Sequence, residues 1–219
     1  MTYAEGRRPA AATPPGVPNP GSVPRLVWWT AAAVIAVLFV ALLLGAVHTV
    51  PGQRLDEHLL GRAQRGLWPP HLRKVIPVGL GSVNIVLAAR AVRRRGIRRV
   101  AVATVVVGAS TAASIALQHW LRRPALGVPG YAHNTLPSDH VTVAAALTVA
   151  AVVLWERRRW VEASALGCVL IASACVSSVH GFAHRPSDVV ASVLLVGVVT
   201  CGCLAAVAPR GRRRQRARR

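Results

Sequence analysis

The chain has 219 residues, 53% of them hydrophobic, and a formal net charge of +20 from 27 Lys+Arg against 7 Asp+Glu. A mean hydropathy of +0.43 sets it apart from ordinary soluble domains and places it among membrane proteins. The charge alone would fit nucleic acid, but the arginines cluster between apolar runs and no nucleic-acid reading motif accompanies them, so no nucleic-acid partner is expected.

Residues 1–25 are rich in Ala, Pro and Gly, with Pro14, Pro15, Pro18 and Pro20, and read as a disordered cytoplasmic leader. Six apolar segments follow. The first, 26–46, holds no charge and matches the roughly 20 residues needed to span hydrocarbon, with Trp28 and Trp29 at its interfacial end. It is too long for a signal-peptide core and no small-residue cleavage site follows, so it reads as an uncleaved helix. The second, 75–89, contains Pro77, Gly79, Gly81 and Asn84 and reads as kinked or packed inside a bundle. The remaining segments are 100–121, 141–155, 161–182 and 187–208, followed by a basic cytoplasmic tail at 209–219 that suits contact with anionic headgroups. The expected architecture is all-α: one six-helix transmembrane domain over 26–208, without internal repeats.

Six crossings put both termini on one side. The loop holding Arg93, Arg94, Arg95, Arg98 and Arg99, the loop holding Arg157, Arg158 and Arg159, and the arginine tail then share that side. The positive-inside bias makes it cytoplasmic. The expected location is the cell membrane, multi-pass, with the histidine motifs facing outside. Cys168, Cys175, Cys201 and Cys203 lie within expected helices and read as small packing residues, with no zinc-site spacing to a histidine.

Two histidine motifs stand at the outer mouths of these segments: Pro137-Ser138-Asp139-His140 before the fourth, and His184-Arg185-Pro186-Ser187-Asp188 before the sixth. A helix start offers unpaired N–H groups and a partial positive charge, which suits an anion. The spacing of His184 and Asp188 stacks them on one helical face if the turn begins at His184. The carboxylate would then accept from one imidazole nitrogen and leave the other a better nucleophile or base. The plainer alternative is that Asp188 caps the helix and His184 is an interfacial polar residue. Ser138 likewise reads as a helix cap with His140 in the first turn. Arg122, Arg123 and Pro124 end the third segment on the same side.

Taken together, Arg123-Pro124, Pro137-Ser138-Asp139-His140 and His184-x3-Asp188 resemble the type 2 phosphatidic acid phosphatase (PAP2) family, which shares its site with vanadium haloperoxidases. That family shows Lys-x6-Arg-Pro, Pro-Ser-Gly-His and Ser-Arg-x5-His-x3-Asp, and its membrane members have six helices with the site near the outer face. The resemblance covers residues 116–191. It implies that His184 is the nucleophile forming a phosphohistidine, Asp188 its orienting carboxylate, His140 the general acid, and Ser138 and Arg123 phosphate ligands. It implies a lipid phosphate substrate among membrane lipids, with no metal and no cofactor.

The departures are specific. Ala116 or Gln118 stands where the family has its lysine, Asp139 replaces the glycine beside the phosphate ligands, and Ser178 replaces the arginine of the third motif. Arg185 and Arg122 are the candidate compensating cations, and Asp139 would repel phosphate unless it turns away, stays protonated or pairs with one of them. His119, His133 and His180 are further candidate donors, His180 reading also as a buried polar contact. Three readings stay open: a membrane lipid phosphatase, a weakened relative that binds a lipid phosphate or a partner without turnover, and a histidine-rich haem or metal carrier. The sequence carries no signal of oligomeric state.

Overall fold

The computed structural model describes residues 23–63, 69–128, 134–156 and 159–208. The leader up to residue 22, the tail from residue 209, His133, Arg157 and Arg158 lie outside them. The described residues form seven helices: α1 (Arg25–Leu42, continued by a π-helical turn, Leu43–Val47), α2 (Val50–Ala63), α3 (Leu72–Arg93), α4 (Ile97–Trp120), α5 (Asp139–Leu154), α6 (Trp160–His180) and α7 (Pro186–Val207). Six of them match the six apolar segments, and the architecture is an all-helical membrane bundle.

Five helices are long and apolar enough to cross a bilayer: α1 with its π turn, α3, α4, α6 and α7. The chain is a multi-pass membrane protein. Valine, leucine and isoleucine side chains stay exposed along α1, α3, α4 and α6, as a surface facing acyl chains requires. The sixth segment, α5, has only 16 residues, about 24 Å of helix. It lies at the centre, packed against α3, α4, α6 and α7, while α1 lies along α7.

Small residues set this packing. The buried face of α5 is Val141, Thr142, Ala144, Ala145, Ala146, Thr148, Ala150 and Leu154, which lets neighbouring backbones approach closely. Opposite Thr148, α6 presents Gly167, where an added Cβ would stand 2.6 Å from Thr148 Cγ2. Asn84, in the segment expected to be kinked or buried, donates to Leu147 O of α5 at 2.9 Å and to Leu80 O of its own helix at 2.8 Å. Pro77 sits in the second turn of α3, and the helix runs unbroken from Leu72 to Arg93.

The arginine-rich loop after α3 lies at the end of the bundle opposite the histidine motifs. There Arg94 pairs with Glu156 at 3.1 Å, and Arg98 donates to the Val207 carbonyl.

The element without an apolar signature is α2. Its buried residues are Gln53, Asp56 and Leu60, so its inward face is largely polar. Gln53 Nε2 donates to Val47 O and Pro124 O at 2.8 and 2.9 Å, and it fixes α2 across the mouth of the bundle.

Candidate active site

Pro186 decides how the second motif folds. It disfavours a helical backbone at the preceding residue, and Arg185 is extended, with φ −78 and ψ 159. The helix therefore begins at Pro186, not at His184, which corrects the expectation of a shared helical turn. Asp188, in the first turn, folds back so that its Oδ2 accepts from the Arg185 N–H at 3.0 Å.

His184 Nδ1 stands 3.9 Å from Asp188 Oδ2, beyond hydrogen-bond reach. It donates instead to the Thr135 carbonyl at 3.0 Å, while the Thr135 hydroxyl donates to Asp188 Oδ2 at 2.5 Å. A carbonyl only accepts, so this bond places the proton on Nδ1 and leaves Nε2 its lone pair. Among the described residues nothing bonds Nε2. Burial pushes the His184 pKa below the usual histidine value, against the pull of the Asp188 charge and the Thr135 carbonyl.

Arg123 comes in from the segment after α4, its side chain only 6% exposed. Its Nη2 reaches Ser187 Oγ at 3.0 Å, Asp188 Oδ1 at 3.2 Å and Asp56 Oδ2 at 3.5 Å. Its Nε and Nη1 are buried and have no partner among the described residues. The Asp56 carboxylate accepts from the Ser187 N–H at 2.9 Å and from its hydroxyl at 2.5 Å. The anion expected at the start of α7 is thus supplied by the protein itself, from α2. Burial raises the Asp56 pKa above the usual carboxylate range, opposed by the Ser187 bonds and by Arg123.

At the start of α5, Ser138 is fully buried and caps the helix, its Oγ accepting from Val141 N at 3.5 Å. Its N–H donates to Ser192 Oγ at 2.8 Å, and that hydroxyl also reaches the Asp188 carbonyl at 2.8 Å, tying α5 to α7. His140 follows in the first turn and lines a cleft of about 220 Å³ with Pro77, Asp139 and Val143. The Ser138 N–H also approaches the Asp188 carbonyl at 3.4 Å, so the two histidine motifs converge on one region. Asp139 turns toward α4, where its Oδ1 accepts from Ser114 Oγ at 2.9 Å.

Not every sequence-derived candidate joins this cluster. Arg122 is exposed, whereas Arg123 turns inward. Arg185, buried at the N-cap of α7, does join it, through its backbone N–H on Asp188. Gln118 donates to the Pro137 carbonyl at 2.5 Å and so serves the loop rather than an anion. His119 is exposed with its ring edge-on to Trp120, and His180 Nδ1 is buried with no partner among the described residues. Sequence reasoning missed Asp56, Thr135, Ser187 and Ser192. The one available signal for Asp56 was the helix start at Thr49-Val50-Pro51, where Thr49 Oγ1 accepts from Gly52 N at 3.1 Å.

The PAP2 superfamily model matches residues 103–212, half of the chain. The chain belongs to the PAP2 superfamily. No curated protein and no solved structure matches it. PAP2 membership supports a phosphoric ester hydrolase in general. The matched stretch contains Arg123, both histidine motifs and Asp188; α2, with Asp56, and α3 lie outside it.

Proposed function

We propose that this PAP2 protein is an integral membrane phosphatase that hydrolyses a lipid phosphate monoester or diphosphate through a phosphohistidine. The observation that carries the reading is Arg123. Its guanidinium is held by Asp188, Ser187 and Asp56 through one nitrogen and keeps two buried donors without a partner. Buried unpaired donors are costly unless a ligand meets them, and a hydrogen bond from a guanidinium to a phosphate oxygen is charge-assisted and strong.

His184 Nε2, its ring oriented by the Thr135 carbonyl, attacks phosphorus. The lipid alkoxide leaves with a proton from His140, a transfer worth about 10²–10⁴-fold. His140 then takes a proton from water as the water attacks phosphohistidine, and inorganic phosphate is released. The Arg123 donors, with the N–H groups of Asp139 and His140 at the start of α5, face the charge that develops on the phosphoryl oxygens. The acyl or prenyl tail lies among the helices. Arginine-rich loops at the opposite end favour a site facing outside, with cytoplasmic termini, in the cell membrane.

A second reading, binding without turnover, is favoured by Asp56 on the Ser187 N–H and by Ser178 in place of the family's arginine. Phosphate release from a panel of lipid phosphates in detergent with EDTA separates the two. Vanadate-sensitive turnover lost in His184→Ala supports the phosphatase; no turnover across the panel rejects it in favour of the binder.

A further inference from the structure

The family's third motif takes an arginine from the position held here by Ser178, and that serine is fully buried. A guanidinium from a different helix stands beside the same place. Arg73, in the first turn of α3, donates through its backbone N–H to Ser177 Oγ at 2.9 Å and through Nη1 to the Gly181 carbonyl at 3.3 Å. These two residues bracket Ser178 on α6. Gly181 leaves the room: a Cβ there would stand 2.9 Å from Arg73 Nη1. Ser177 Oγ also meets the Pro69 and Pro70 carbonyls at 2.9 and 3.0 Å, so the entry to α3 is fixed against α6.

Pro77, one turn beyond Arg73 along α3 and on the same face, lines the cleft that holds His140 and Asp139. The charges of Arg73 and of its neighbour Lys74 both reach the His140 ring. Arg73 Nε and Nη2 make no hydrogen bond among the described residues.

We propose that Arg73, with Lys74 beside it, supplies from α3 the positive charge that binds phosphate on the His140 side of the site, in place of the arginine missing at position 178. Arg123 then holds the anion from the α7 side and Arg73 from the α3 side. The role in turnover rests on the phosphatase reading; the anion binding does not.

The test uses the full chain in detergent, orthovanadate as the phosphate probe, and phosphate release as a separate measurement. Arg73→Gln should weaken vanadate binding about tenfold or more, as loss of a charge-assisted pair does, and lower kcat by about 10²-fold. Arg73→Lys should recover most of the binding, which a purely structural role would not predict. Lys74→Gln should lose about threefold, and Arg62→Gln, exposed on α2, should behave as wild type. Where Arg73→Gln fails to fold, Arg73→Met keeps the unbranched stem and is read the same way. A folded neutral variant with wild-type vanadate affinity overturns the proposal. Wild type that binds vanadate but releases no phosphate ends the phosphatase reading and leaves the variants to be judged on binding. Wild type that binds no vanadate overturns both.

Discussion

Thr135 serves both His184 and Asp188, its carbonyl accepting from the imidazole and its hydroxyl donating to the carboxylate. The orienting bond on the histidine therefore comes from backbone, and the carboxylate acts at one remove. Thr135→Val keeps the carbonyl and removes the hydroxyl from a buried carboxylate, a change of about 1–3 kcal/mol. Phosphate release should slow about tenfold, with Thr135→Ser near wild type. Equal rates in Thr135→Val would detach Asp188 from the reaction.

The pH profile of kcat/KM should report the buried imidazole. Burial lowers the His184 pKa, so the neutral ring persists to more acid pH than an exposed histidine's. After correction for the phosphate's own ionisation near pH 6, the acid limb should lie below about 6.5. An acid limb at or above that value would contradict the buried, carbonyl-bound ring.

Asp56 should make stability pH-dependent in an unusual direction. Its pKa is raised by burial, so the folded chain keeps this proton to higher pH than the unfolded chain. The stability contributed by the neutral carboxyl is full below about pH 4 and is lost as pH climbs through the raised value. Asp56→Asn cannot titrate, so its Tm relative to wild type should rise over that window; parallel profiles would refute the shift. Asp56→Ala, which strands Ser187 and removes a partner of Arg123, should cost about 3 kcal/mol at neutral pH.

Asp139 is predicted to be nearly neutral for turnover, because its carboxylate is engaged by Ser114 on α4. Asp139→Gly should change phosphate release by less than about threefold while costing about 1 kcal/mol of helix stability. A gain of tenfold would mean that the charge faces the phosphate.

The contact of α5 with α6 is tight enough to test by exchange. Gly167→Ala should destabilise the bundle by about 1–3 kcal/mol, because its methyl meets Thr148 Cγ2. Thr148→Ser removes that methyl and should restore most of the loss in the double variant. Additive losses in the pair would place the strain elsewhere.

The membrane helices were legible because lipid demands long apolar runs, and their ends fell within a few residues of expectation. The family was legible because its motifs are local. What could not be read is what depends on a polar inward face. Gln53 and Asp56 look like solvent residues in a string of letters, and only the fold turns them toward Pro124 and Ser187. The bond expected between His184 and Asp188 failed for a related reason. Spacing of four residues implies stacking only when helix geometry already holds, and Pro186 delays it by two residues.

The confinement of Arg123 has a kinetic meaning. A free arginine gives up about 2 kcal/mol of rotamer entropy when it settles on one pose, and here two carboxylates and a hydroxyl have selected that pose during folding. On the proposed phosphatase reading an arriving anion would meet a cation already aimed, and recognition would depend on fit at encounter rather than on a search by the side chain.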